Sequence, residues 1–72
     1  MQKTMGQRIR EARCKRGITQ DTLAELAGLT RTSVNFYESD KHDPSFFNAT
    51  CIADVLGVSL DWLAGRKEDM RI

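Results

Sequence analysis

Residues 19–38, TQDTLAELAGLTRTSVNFYE, decide the fold of this 72-residue chain. They contain two short helical patterns that are separated by only three residues. Thr19 and Thr30 have the hydroxyl that caps a helix N-terminus, and Gly28 suits the left-handed position that ends a helix. Two helices joined by so short a turn cross steeply, and the small side chain of Ala24 lets them approach closely.

The same signals divide the rest of the chain into three more helices. Thr4 and Gln7 have the spacing of a capping box, and Ser45 or Asp43 can begin the helix that follows Pro44. The predicted helices run from Thr4 to about Arg16, Gln20 to Ala27, Arg31 to about Ser39, Ser45 to Gly57 and Ser59 to Gly65. Every strong local signal is helical, so we predict an all-α fold, a compact five-helix bundle.

Length and composition indicate one domain, with residues 1–65 forming the bundle and residues 66–72 forming a charged, frayed tail. Hydrophobic residues make up 40% of the chain and charged residues 29%, as in an ordinary globular protein. No apolar run is long enough to cross a bilayer, and the N-terminus lacks the apolar segment of a signal peptide. We therefore expect a cytoplasmic protein without a membrane partner.

The net charge of +1 is distributed unevenly along the chain. Residues 1–20 contain six basic side chains and one acid, giving +5, whereas residues 21–40 sum to −3 and residues 41–72 to −1. A basic end attracts phosphates, although a solvated helix face would give the same count. Charge alone therefore does not decide whether the partner is a nucleic acid.

Residues of the types that commonly form catalytic or metal sites are few and scattered along the sequence. Cys14 and Cys51 lack the Cys-x-x-Cys spacing of a metal site, and His42 is the only histidine. Two reduced, partly buried cysteines are a simpler interpretation than a disulfide. There is no glycine-rich phosphate loop, and so short a chain has little room for a pocket. We expect no enzyme activity, metal, cofactor or small-molecule ligand.

Three stretches together point to a known family. They are IREARCKRGITQDTLAELAGLTRTSVNFYE at residues 9–38, the Pro44-Ser45 junction, and LGVSLDWL at residues 56–63. Through them the chain resembles the lambda-repressor and Cro-like (XRE-type) helix-turn-helix family of DNA-binding proteins. The resemblance implies that the second and third helices form the helix-turn-helix, at about residues 20–39. It further implies that the third, or recognition, helix lies in the major groove of double-stranded DNA.

The resemblance also assigns roles to individual side chains. Gln20, at the N-terminus of the second helix, is implied to bind a phosphate or to brace the recognition helix. Arg13 and Glu38 match a pair that commonly forms an internal ion pair in this family. The implied base contacts are Arg31, Thr32, Asn35 and Phe36, and the implied phosphate contacts are Gln20, Ser39 and Lys41.

Three positions leave alternatives open. Arg31 can donate two hydrogen bonds to guanine or swing outward to a phosphate. Phe36, where the family often has a polar residue, can touch a thymine methyl or simply cover Thr32 and the neighbouring helix surface. Asp40 stands where the family often has glycine. Because a carboxylate near a phosphate is unfavourable, we expect this loop either to approach the DNA backbone differently or to use Lys41 instead.

The resemblance implies a transcriptional regulator, repressor or Cro-like, that acts as a homodimer on a pseudo-palindromic operator. It places the dimer contacts after the fourth helix, with Val58 and Trp62 at the interface. Trp62 is expected off the inner face as the anchor, unless it folds back over its own bundle. The alternative function is an antitoxin-like or accessory protein-interaction module, in which exposed Phe47 and Trp62 meet another protein. Phe46 is expected on the inner face of the fourth helix.

Overall fold

Five helices follow one another along residues 2–72, the part of the chain that this computed structural model describes. They are α1 (Met5–Arg16), α2 (Gln20–Ala27), α3 (Arg31–Glu38), α4 (Phe46–Leu56) and α5 (Leu60–Leu63). No strand occurs within these residues. The predicted all-α, five-helix bundle is therefore confirmed. Helix α3 is one residue shorter than expected because Ser39 is its C-cap.

All five helices begin with the same capping contact, in which a side-chain hydroxyl accepts the N–H of the third helical residue. This contact is made by Thr4, Thr19, Thr30, Ser45 and Ser59. At Thr4 the side chain of Gln7 also accepts the Thr4 N–H at 2.9 Å, which completes the predicted capping box. A cap of this kind stabilises a helix by about 1 kcal/mol. The caps therefore define where these short helices start.

The hydrophobic core is built from all five helices. Its buried members are Ile9, Ala12, Leu23, Ala24, Val34, Tyr37, Ile52, Ala53, Leu56, Val58, Trp62 and Leu63. Isolated helices shorter than about 12 residues are marginal in water. Burial of this apolar surface therefore supplies most of the stability of the bundle. The buried Ala24 lets α2 and α3 pack closely across their short turn, as predicted.

Trp62 belongs to the core, so the prediction that it lies off the inner face is wrong. Only 3% of its surface is exposed, and the guanidinium carbon of Arg8 lies 5.2 Å from its ring centroid. The cause is the length of α5, a single turn that packs against both α1 and α4 and is too short to have a separate outer face. Val58 is buried too, so neither predicted dimer residue offers a free side chain.

Phe46 lies on the surface rather than on the inner face of α4. Its exposed fraction is 78%, and that of Phe47 beside it is 73%. Phe46 is the first residue of α4, whereas the buried positions of this helix begin at Ala49. The packing that covers the inner face therefore does not reach the first turn of the helix. Of the two phenylalanines, only the exposure of Phe47 was expected.

Residues 66–72 fold back against the bundle, in contrast to the frayed tail that we expected. The carbonyl oxygen of Met70 accepts a hydrogen bond from the Ser59 N–H at 2.8 Å, and Met70 packs against the core. Within the tail, the guanidinium of Arg71 donates to both carboxylate oxygens of Asp69. These hydrogen bonds lower the pKa of the exposed Asp69 to about 2. The tail has no helix or strand, so periodicity gave no signal of its packing.

The N-terminal turn of α1 lies directly against the C-terminal end of α3. A Cβ atom added at Gly6 would lie 2.3 Å from the carbonyl oxygen of Tyr37 and 2.8 Å from that of Glu38. Both neighbours are backbone atoms, which cannot move aside as the end of a flexible side chain can. The absence of a side chain at Gly6 therefore sets how closely the two helices approach.

Asp40 connects the end of α3 to the same turn of α1. Its backbone is left-handed, with φ of 61°, which costs a non-glycine residue about 1–2 kcal/mol. Its carboxylate accepts the Thr4 hydroxyl at 2.6 Å and the Gly6 N–H at 3.0 Å. A negative charge is favourable at a helix N-terminus, and the first turn of α1 has no acid of its own. These contacts offset the backbone cost at Asp40.

Replacing Gly6 by alanine is expected to destabilise the protein, although the same change in an exposed helix normally stabilises by about 1 kcal/mol. The added methyl overlaps the Tyr37 carbonyl oxygen, and such overpacking costs about 1–3 kcal/mol. Urea unfolding measures the change in the free energy of unfolding. Cys14→Ala, at an exposed site of α1, is the control and should stay within about 0.5 kcal/mol. A Gly6→Ala protein as stable as the control would contradict the close approach.

Candidate nucleic-acid interface

The outer surface of α3 carries three of the four side chains that were predicted to contact bases. Arg31, Thr32 and Asn35 are exposed and border one shallow hollow. Their inner counterparts, Val34 and Tyr37, are buried in the core. The helical period thus separates α3 into a buried side and a free polar side. The free side presents hydrogen-bond donors and acceptors that suit the edges of base pairs.

Arg31 begins this free surface and is close to α2. Its Nε atom lies 3.7 Å from a carboxylate oxygen of Asp21, and 68% of its side chain is exposed. An ion pair so open to water contributes little to stability. The guanidinium is therefore available to leave Asp21 for a stronger partner.

Arg13 and Glu38 form the predicted ion pair, which connects α1 to the end of α3. The Arg13 Nε–Glu38 Oε2 distance is 2.6 Å and the Nη2–Oε1 distance is 3.1 Å, so the pair is bidentate. Arg13 also donates to the carbonyl oxygen of Ile18 at 2.8 Å. The hydrogen bond with Glu38 raises the pKa of Arg13, against the opposing effect of burial. The side chain of Glu38 is only 4% exposed, so this charge depends on its partners.

Gln20 extends this ion pair to the free surface of α3. Its Nε2 atom donates to Glu38 Oε1 at 3.2 Å, and its Oε1 atom lies 3.5 Å from Asn35 Nδ2. The chain of contacts runs from α1 through Glu38 and Gln20 to Asn35. Of the two roles that the resemblance implied for Gln20, the bracing role has these contacts. Its phosphate contact stays a prediction.

The loop that follows α3 carries the other two predicted phosphate contacts. The Ser39 hydroxyl donates to the carbonyl oxygen of Asn35 at 2.9 Å, so its oxygen keeps its capacity to accept. Lys41 is exposed, and its Nζ atom lies 5.5 Å from the ring centroid of Phe36. Asp40 points its carboxylate at α1. The carboxylate that seemed unfavourable near a phosphate is therefore engaged within the protein.

The basic side chains in α1 and just before it make different contacts. Arg13 is in the internal ion pair, Arg8 lies over the ring of Trp62, and Lys3 pairs with Glu11. The side chain of Arg16 reaches the end of α4, where its Nη1 atom would be 3.2 Å from a Cβ atom on Gly57. The cluster of positive charge in the sequence is therefore divided among several sites in the fold.

Two contacts near this surface had no signal in the sequence. The Asp40–Thr4 hydrogen bond joins residues 36 positions apart, and the ring of His42 lies 5.2 Å from that of Phe36. Neither pair follows a helical spacing. Within residues 2–72, no helix is long and apolar enough to span a membrane, and no group of three or more His, Cys, Asp or Glu side chains could hold a metal ion.

Two short helices joined by a three-residue turn, the second with a free polar side, define a helix-turn-helix protein. A model of the helix-turn-helix family matches residues 9–63, so the chain belongs to this family. The match and the similar proteins identify it as a member of the XRE type. The family resemblance predicted from the sequence is therefore confirmed.

Proteins with similar chains include phage and bacterial regulators. The SPbeta prophage-derived HTH-type transcriptional regulator YonR of Bacillus subtilis is 34% identical over 81% of this chain and 54% of its own. The immunity repressor protein of Bacillus phage phi105 is 36% identical over 89% of this chain and 44% of its own. The P22 c2 repressor, solved with a synthetic operator, superposes with a TM-score of 0.87 at 27% identity, covering 92% of this chain and 100% of that one. The chain spans about half the length of the first curated relatives it matches.

Breaking the Arg13–Glu38 pair from one side is expected to destabilise the fold strongly. Glu38→Ala leaves the guanidinium of Arg13 without its buried partner, at a cost of about 3–5 kcal/mol. The double variant Arg13→Met/Glu38→Leu removes both charges and should recover most of that loss. Chemical unfolding of the wild type and of the two variants gives the free energy of unfolding that each loses. A double variant that loses as much as Glu38→Ala would show that the unpaired charge of Arg13 is not the cause of the loss.

Proposed function

We propose that this chain binds double-stranded DNA sequence-specifically and is the DNA-binding part of a transcription regulator of the repressor or Cro-like type. The observation that carries the proposal is the free polar surface of α3, braced from inside by Glu38 and Gln20. Membership of the helix-turn-helix family supports it, as does similarity to a repressor solved with its operator. A regulator of this kind works in the cytoplasm without enzymatic activity, and both properties are part of the proposal.

Three side chains of α3 are assigned to base edges in the major groove. Arg31 stands at the first position of the helix, and its planar fork can donate to guanine O6 and N7. Asn35, one turn later, suits adenine N6 and N7, and the methyl group of Thr32 suits the thymine methyl. Gln20, Ser39 and Lys41, on the adjoining elements, are assigned to phosphates.

The chain is further proposed to act as a homodimer on a pseudo-palindromic operator, because one recognition helix reads too few bases. With Trp62 and Val58 buried, the interface is assigned to an apolar groove of about 230 Å³ beside α4 and α5. The groove is lined by Met5, Pro44, Phe46, Ala49, Leu60, Asp61, Ala64 and Arg66. Asp61 and Arg66 are both exposed and have opposite charges. In a two-fold symmetric dimer, Asp61 of each copy can therefore pair with Arg66 of the other.

The second candidate function is an antitoxin-like or accessory module whose main partner is a protein. The exposure of both Phe46 and Phe47 favours it, because adjacent free aromatic rings are typical of protein contacts. Trp62 no longer contributes to this candidate, since its ring is buried. Whether the purified chain alone retards a specific DNA fragment distinguishes the two candidate functions. Retardation is expected of the DNA-binding regulator.

Arg31→Ala is expected to weaken binding by about 1–3 kcal/mol and to relax preference at one base pair. Selection of bound sequences from random DNA identifies the operator, and fluorescence anisotropy on single-base variants measures the preference. Lys15→Ala, in the cleft between α1 and the tail, is the control and should leave the preference unchanged. Equal weakening on every sequence would reassign Arg31 to a phosphate.

Phe46→Ser is expected to lower the cooperativity of operator binding without unfolding the chain, because the side chain is exposed but lines the apolar groove. Phe47→Ser is the matched control, since Phe47 is equally exposed and is not among the groove residues. Binding curves on whole operators and half-operators measure the cooperativity. A larger effect from Phe47→Ser than from Phe46→Ser would place the contact on another surface.

A further inference from the structure

Phe36 points outward from α3, yet two side chains of the next loop shield its ring. Lys41 places its Nζ atom 5.5 Å from the ring centroid, and the imidazole of His42 lies 5.2 Å away at an interplanar angle of 45°. Phe36 is consequently only partly exposed, unlike Thr32 and Asn35 on the same helix. The ring does not border the hollow formed by the three polar side chains.

The backbone of the loop is built around the same residue. The carbonyl oxygen of Phe36 accepts the N–H of Lys41 at 2.9 Å and that of His42 at 3.4 Å. The left-handed Asp40 turns the chain back, and its carboxylate holds the turn to α1. Phe36 therefore contacts both residues through its ring and through its main chain.

We propose that Phe36 is a positioning residue, which holds Lys41 and His42 as a pair of phosphate contacts beside the recognition helix instead of contacting a base. This inference rests on the proposed DNA binding and adds His42 to the residues that would touch the phosphates. The electron-rich face of an aromatic ring attracts a cation, so the ring favours one position of the lysine side chain. A restrained cation loses less side-chain entropy when it binds a phosphate than a free one does.

The test compares the wild-type chain with Phe36→Leu on two duplexes, one selected from random DNA and one with the same bases in scrambled order. Affinity is measured from 50 to 300 mM salt. Phe36→Leu is expected to lose about threefold to tenfold on both duplexes. Its salt dependence should become shallower by about 0.9 for each phosphate that the variant no longer neutralises.

Three companion variants keep the result interpretable. Lys41→Ala and His42→Gln should each reduce the salt slope. In Phe36→Leu backgrounds both changes should have smaller effects than in the wild type. Lys15→Ala removes a cation beside Trp62 and the tail and should leave the slope unchanged. Thermal unfolding checks that each variant is folded.

Other outcomes overturn the inference in distinct ways. If Phe36→Leu relaxes preference at one thymine-containing base pair and keeps the full salt slope, the ring contacts a base. If Lys41→Ala and His42→Gln both keep the wild-type slope, the loop makes no phosphate contact. If the wild-type chain binds neither duplex, the proposed function itself fails, which is separate from a failure confined to Phe36.

Discussion

The buried carboxylate of Glu38 is the constraint on which the arrangement of the first three helices depends. It ends α3, accepts two hydrogen bonds from Arg13 of α1, and accepts a third from Gln20 of α2. Three helices too short to be stable alone are thus held to one another by a single charged group. Because a buried charge without partners is costly, the three hydrogen bonds form and break as a unit. The hydrogen bonds of Glu38 therefore set the orientation of the exposed surface of α3.

Local chemistry made most of the fold predictable. The five capping hydroxyls and the glycine at the turn act within a few residues, and the sequence displays such signals directly. The structure differs from the predictions where packing between distant segments decides the position of a side chain. Trp62 sits on a helix of one turn, so no period existed to assign it a side, and Met70 packs without any regular structure. The bracing role of Gln20 came from family resemblance, whereas Asp40 gave no local sign of its bond to Thr4.

The positive charge of the chain is used in a way that a linear count conceals. Part of the positive charge of the basic N-terminal sequence is engaged in contacts within the molecule. These are the ion pair of Arg13 and the contact of Arg8 with Trp62. Cations that remain near α3 are few, chiefly Arg31 and Lys41. A protein with so little net charge has a weak general attraction for phosphates. Under the proposed function, discrimination between DNA sequences consequently depends on the placement of a small number of groups.

The eight residues of α3 include a set that the core requires and a set that is exposed to solvent. Val34, Tyr37 and Glu38 are buried, whereas Arg31 and Asn35 lie in water. Exposed substitutions away from caps usually change stability by less than about 0.5 kcal/mol. Substitutions at the outer positions of α3 can therefore alter the proposed binding specificity, whereas selection for folding acts on the inner positions. Divergence of a regulator and its binding site can then proceed by single steps, none of which passes through an unfolded protein.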